Sequence, residues 1–100
     1  MVKIEAGMFA RSLAGHDQNR LYVIIREEAE YVWLVDGILR PLEKPKKKKK
    51  KHIQVIHRVA EPVRQALEEK ALLRNEQIKQ IIQSESQSWQ EDKDVESRCN

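Results

Sequence analysis

Six consecutive lysines, Lys46 to Lys51, stand between Pro45 and His52. Ammonium groups at this density suit one chemistry above others: neutralising closely spaced phosphates, with release of a counterion at each contact. Lys46, Lys47, Lys48, Lys49, Lys50 and Lys51 are therefore candidate RNA contacts, with Lys44 and His52 extending the run. Arg11, Arg20 and Arg40 are further cations able to share its face. The bland reading is a solvated flexible loop, and lysine runs alone also serve as nuclear-localisation signals or anionic-lipid patches. Charge is unevenly spread along the chain. Residues 1–58 carry 13 Lys+Arg against 7 Asp+Glu, and residues 59–100 carry 6 against 9. The basic part is the one suited to a polyanion.

Other chemistries find no framework. There is no Gly-rich phosphate loop leading into Lys-Ser/Thr, no pair of carboxylates flanking a cleft signal and no His-x-x-x-His helix. His16, His52 and His57 lack the cysteines or carboxylates that would make them metal ligands or bases, and Cys99 is the sole cysteine. The expectation is a non-enzymatic protein with no catalytic residue, no metal and no cofactor. One unpaired thiol fits a reducing compartment. No apolar run approaches the roughly 18 residues of a membrane span, and no signal peptide precedes the first strand, so a cytoplasmic monomer away from membranes is expected.

Several short strands must position these cations. Met8 to Ser12 forms a strand, and a polar loop over Ala14 to Asn19 reverses the chain, with Gly15, Asp17 and Asn19 supplying turn chemistry. Arg20 to Ile25 and Tyr31 to Val35 form strands apolar on both faces, so each needs a cover on both sides. Trp33 can stack on a base, but its place inside such a strand assigns it to the core, as for Tyr22 and Tyr31. Arg26 to Glu30 is a charged connection. Asp36-Gly37 signals a type I′ hairpin turn returning through Ile38-Leu39-Arg40, with Arg20 and Arg40 on ordered strands. Leu42 to Pro45 should be extended, and Ile53 to His57 forms the last strand, with Ile53 and Val55 on one face.

From Pro62 the period becomes helical. Two helices are expected, about 61–70 and 75–84, the second capped by Asn75. One continuous helix is the alternative, because Lys70-Ala71 contains no breaker. Val63, Leu67, Ile78 and Ile82 should cover the outside of the strands. The residues after 84 are Ser/Gln/Asp/Glu-rich and are expected to be disordered, Trp89 standing among them either incidentally or as a docking anchor.

The stretch from Gly7 to Ile24 resembles the KOW motif, whose pattern runs roughly Gly-x-Val-Val-x-Ser-x-Ala-Gly-Arg-Asp-x-Gly-x-x-x-Val-Val. The chain keeps Gly7, Ser12, Ala14, Gly15, Asp17, Val23 and Ile24. Downstream it keeps Val35-Asp36-Gly37, Arg40, Pro45 and the lysine run ending in Lys51-His52. It is similar to KOW-domain RNA-binding proteins of bacteria, relatives of archaeal and eukaryotic large-subunit ribosomal proteins with an N-terminal KOW barrel. The resemblance covers about residues 5–57, with a looser echo to about 82.

The resemblance implies a mainly β fold. Residues 1–58 would form a small five-stranded SH3-like barrel with a lysine-rich loop, 59–84 a helical extension and 85–100 a polar tail. It implies binding to RNA, ribosomal RNA above all, with a role in translation. Gly15, His16, Asp17, Gln18 and Asn19 would form the motif loop. Two positions depart from the pattern: His16 replaces the loop arginine, and Asn19 replaces the second loop glycine, where φ > 0 is expected. The alternative is a KOW protein-interaction module docking on transcription or translation machinery, its lysines merely steering association.

Overall fold

The computed structural model of the chain describes residues 4–13 and 20–86. The fold is mainly β. Five strands, β1 (Met8–Ser12), β2 (Leu21–Glu27), β3 (Tyr31–Val35), β4 (Lys46–Lys49) and β5 (Ile53–Val59), form one antiparallel sheet in the order β4-β3-β2-β1-β5. A 3₁₀ turn over Lys50–His52 joins β4 to β5. Two helices follow, α1 (Glu61–Glu69) and α2, which occupies 75–86 of the described residues. The motif loop Gly15, His16, Asp17, Gln18 and Asn19, including the expected positive φ at Asn19, lies outside the described residues.

The sheet is open where a closed barrel was expected: β4 and β5 are its two edges. β4 is only four residues long and gives way at once to the 3₁₀ turn, so it builds no ladder with β5. The sheet curls nonetheless. The Lys48 ammonium, on the β4 edge, donates to the buried hydroxyl of Ser12 on β1, across the concave side.

Both faces of the central strands are covered, as their two-sided apolarity requires. The concave face holds Ala10, Tyr22, Ile24, Val32, Leu34 and Ile53, with Ile4, Met8 and Val55 around them. On the convex face the register aligns Ile56, Phe9, Val23 and Val35 in one row across four strands. The helices close over that row. Val63 of α1 and Ile78 of α2 are fully buried against it, and Leu67, Leu73, Ile81 and Ile82 pack partly buried around them. Burying Val63 and Ile78 alone is worth about 3–6 kcal/mol.

Two glycines permit this closure. Gly7 has φ +100°, and a Cβ there would stand 2.9 Å from Arg64 Cβ on α1. Its N–H donates to Ile24 O at 2.7 Å and its carbonyl accepts from Ala60 N at 2.7 Å, so three elements meet on its backbone. Gly37 has φ +79°, and a Cβ there would lie 2.4 Å from the Asn75 carbonyl oxygen. Its need for glycine comes as much from the approach of α2 as from the turn.

The segment after Gly37 departs from expectation. Lys70 is the sole non-glycine residue with positive φ among those described, so Asp36 does not take a type I′ conformation. Its carboxylate instead accepts from Ile38 N and Arg40 N, both at 2.8 Å. Residues 37–40 bend and form no strand, leaving Ile38 and Leu39 exposed, and 42–44 turn where an extended segment was expected. The return partner of β3 is the lysine run itself. β5 extends to Val59, two residues past the expected strand end at His57, and α2 runs beyond 84.

Among the described residues the helices are two, divided at a residue with no breaker character. Lys70 adopts the left-handed conformation (φ 56°, ψ 32°). Lys70 N donates to Leu67 O at 3.4 Å and Ala71 N to Ala66 O at 2.8 Å. This is a Schellman ending, at the position where glycine is the usual occupant. Asn75 is not the cap of α2: Gln77 N and Ile78 N both donate to Arg74 O, and the Gln77 side chain accepts from Arg74 N at 2.8 Å, half of a capping box around Arg74. The Asn75 amide oxygen accepts from Leu42 N at 2.7 Å, fastening the 36–45 loop to α2.

Candidate nucleic-acid interface

The pleat divides the lysine run. β4 pairs with β3 as Leu34↔Lys46, Trp33↔Lys47, Val32↔Lys48 and Tyr31↔Lys49. Because Val32 and Leu34 face the concave core, Lys46 and Lys48 point inward and are half-buried. Lys47 and Lys49 point outward beside Trp33 and Tyr31 and are exposed, and so is Lys51. Lys50 is held by structure: its N–H donates to Glu30 O at 2.9 Å and its ammonium pairs with Glu27. Lys47, Lys49 and Lys51 pair with no described carboxylate. An open cleft of about 300 Å³ lined by Ala29, Glu30, Lys49, Lys50 and Lys51 lies at the end of this strand.

A structural role for the run is also visible. β4 is a sheet edge, and lysines on an edge strand discourage pairing with a second chain. Their aliphatic stems cover apolar surface while the heads reach solvent. That role accounts for Lys46 and Lys48 on the inner side. It does not account for what the outer pair does beside two aromatic rings.

Trp33 is half-buried, not a core residue. The Arg26 guanidinium carbon lies 4.6 Å from its ring centroid, and Arg26 is its register partner on β2. The Lys47 ammonium lies 5.5 Å from the Trp33 centroid and 4.3 Å from that of Tyr31. Tyr31, also expected in the core, is likewise half-buried, whereas Tyr22 is fully buried as expected. A bulge between Ile24 and Arg26 turns Arg26 to this face, and its guanidinium is partly compensated by Glu28 at 2.8 Å. The outer end of the sheet is thus a strip of alternating cations and rings: Arg26, Trp33, Lys47, Tyr31 and Lys49.

The arginines expected beside the lysines lie elsewhere. Arg11 is half-buried on the convex face between Leu21 and Gln54, beyond the helix-covered row. Arg20 precedes β2 and stands 3.7 Å from the Asp36 carboxylate. Arg40 is exposed in the loop after β3, with its main-chain N–H on Asp36. Neither Arg20 nor Arg40 is in a strand. Lys44 is exposed at a turn closed by its N–H to Pro41 O at 2.9 Å. His52 is exposed and accepts from Leu13 N at 3.0 Å through its carbonyl. By register, Arg11 and the start of β2 after Arg20 lie on the far side of the helix-covered row from Trp33 and Lys47, and Arg26, Tyr31 and Trp33 stand beside the outer lysines instead. One part of the signal was available: the run Tyr-Val-Trp puts both aromatics on one face of the strand.

Among the described residues, no group of three or more His, Cys, Asp or Glu side chains is placed to hold a metal ion. No helix among them is long and apolar enough to cross a membrane. No family model matches this chain, and no curated protein matches it.

Proposed function

We propose that this chain is a non-enzymatic RNA-binding protein of the KOW type. Its curled sheet would be an open form of the SH3-like barrel, acting on ribosomal RNA in translation in the cytoplasm. The observation that carries the reading is the outward row of Lys47 and Lys49, continued by Lys51, on an edge strand. All three are exposed, Lys47 and Lys49 at strand spacing and Lys51 in the 3₁₀ turn that follows, with no described carboxylate neutralising them. The order of strands, with the last returning beside the first, supports the KOW comparison without resting on the lysines. Contacts of this kind supply affinity and register and little sequence information.

Salt titration tests it. With about three to four phosphates neutralised, log K should fall against log salt with a slope of roughly −3 on duplex RNA. Exchanging Lys47, Lys49 and Lys51 together for Gln should flatten the slope by about 2–3 units and weaken all RNAs alike. An unchanged slope would assign the run to edge protection alone.

A second reading, a protein-interaction module, rests on Ile38 and Leu39, each 61% exposed on the loop after β3. Co-sedimentation with ribosomes separates the two: loss on RNase treatment supports RNA, and survival supports protein contact.

A further inference from the structure

We propose that Tyr31 and Trp33 form a stacking platform for an unpaired nucleobase, with Lys47 and Lys49 taking the phosphates on either side. The inference rests on the RNA reading above and goes further, naming single-stranded or looped RNA as the substrate class at this site. Two features point to it. The rings stand on neighbouring outward positions of one strand, outside both apolar cores and partly accessible. Cations occupy their faces: Lys47 lies 4.3 Å from the Tyr31 centroid and 5.5 Å from that of Trp33, and Arg26 lies 4.6 Å from Trp33.

The exchange favours a base. An exposed ammonium over a ring is a weaker partner than a stacked nucleobase, and every base has a π face. Lys47 gives up the rings and gains a phosphate, so its charge stays compensated. Arg26 has a different role. With Glu28 at 2.8 Å beside it, it carries less net charge toward a phosphate. Its planar guanidinium against Trp33 makes one wall of the platform and supplies a second flat surface on which a base can lie. The platform lies at the uncovered end of the convex face, so a strand of RNA can lie along β4 without meeting α1 or α2.

The test uses the full chain with Trp89→Phe, so that Trp33 is the one indole left. Three probes of equal length are compared: a single-stranded RNA decamer, the same decamer as a duplex, and an abasic ribose-phosphate decamer. The single strand should quench Trp33 emission, and the abasic decamer should bind without quenching. Tyr31→Leu and Trp33→Leu should each weaken the single strand about tenfold and leave duplex and abasic binding within about twofold. RNA binding with the expected salt slope but no quenching by the single strand overturns the stacking platform and leaves the RNA reading standing. The quenching measurement needs no substitution of the ring itself, so a misfolded Trp33→Leu does not decide the matter. No binding of any probe, or a Lys47, Lys49 and Lys51 to Gln variant that binds all three as wild type does, overturns the RNA reading and this inference with it.

Discussion

The row Ile56–Phe9–Val23–Val35 and the row Arg26–Trp33–Lys47 lie next to each other on one face of one sheet, yet they are covered by different means. The first row is closed by hydrocarbon from two helices, until Phe9, Val23 and Val35 are almost wholly buried. Among the described residues, the helix side chains pack on the first row and not on the second. Its rings are shielded by an arginine and a lysine whose heads remain in water. A hydrocarbon cover is worth several kcal/mol and does not come off in the folded protein. A cation over an exposed ring is worth about 0.5–1 kcal/mol and is exchanged readily. The same sheet therefore has one end built for stability and one end left exchangeable.

Removing the helices should give the largest effect. A chain ending at Ala60 keeps all five strands and loses Val63 and Ile78 from the first row, about 3–6 kcal/mol against a typical total of 5–15. Thermal melting followed by circular dichroism should show a much lower midpoint or loss of a cooperative transition. A truncated sheet melting with the full chain would mean that the helices add nothing to the core. Gly37→Ala attacks the same cover at one point. The added Cβ meets the Asn75 carbonyl oxygen at 2.4 Å and Lys79 N at 3.0 Å, in a backbone conformation that alanine disfavours. Overpacking and the positive φ together should cost about 2–4 kcal/mol by denaturant unfolding. Little loss would show that α2 can move away from the loop freely.

How much of this was legible follows from how each element signals itself. Met8–Ser12 and Tyr31–Val35 appear where apolar and β-branched residues placed them, and Ile53 and Val55 share the concave face as their alternation requires. Val63 and Ile78 are buried, and Leu67 and Ile82 half-buried, because helical spacing identifies a stripe but not how deeply each member sits. β4 was not legible. Four identical lysines have no alternation, and lysine has little strand preference of its own. The strand forms because β3 has an open edge and because lysine stems can lie over Val32 and Leu34. The hairpin after Val35 was misplaced for a related reason. Asp-Gly signals a turn, but the Asp36 carboxylate caps a wider loop through two main-chain N–H groups. Trp33 was assigned to the core because its neighbours are apolar, which carries no information on where the helices stop.

The two sides of β4 sharpen the comparison within a single strand. Lys48→Met removes an ammonium that donates to buried Ser12 and should cost about 1–2 kcal/mol in urea unfolding. Lys47→Gln removes only the exchangeable cation over the two outer rings and should cost about 0.5–1 kcal/mol. RNA affinity should respond in the opposite order. Equal stability losses for the two variants would remove the distinction between an inner, structural set of lysines and an outer, exchangeable one.

The last effect expected is a gain. Lys70 ends α1 in the left-handed conformation, with its neighbour Ala71 bonded back to Ala66 at 2.8 Å. A Cβ in that conformation crowds the following carbonyl, and glycine has no such atom. Glycine also has more freedom to lose on folding, which offsets part of the advantage. The balance at a Schellman position favours glycine, so Lys70→Gly should stabilise by about 0.5–1 kcal/mol. For a domain of this size that is a rise of about 2–8 °C in Tm. Lys70 is exposed and belongs to neither row, so RNA affinity should not change beyond the loss of one distant charge. A Lys70→Gly chain that melts lower would mean that the break between α1 and α2 is held by the lysine side chain, and that the helices close over the first row through a joint this geometry does not explain.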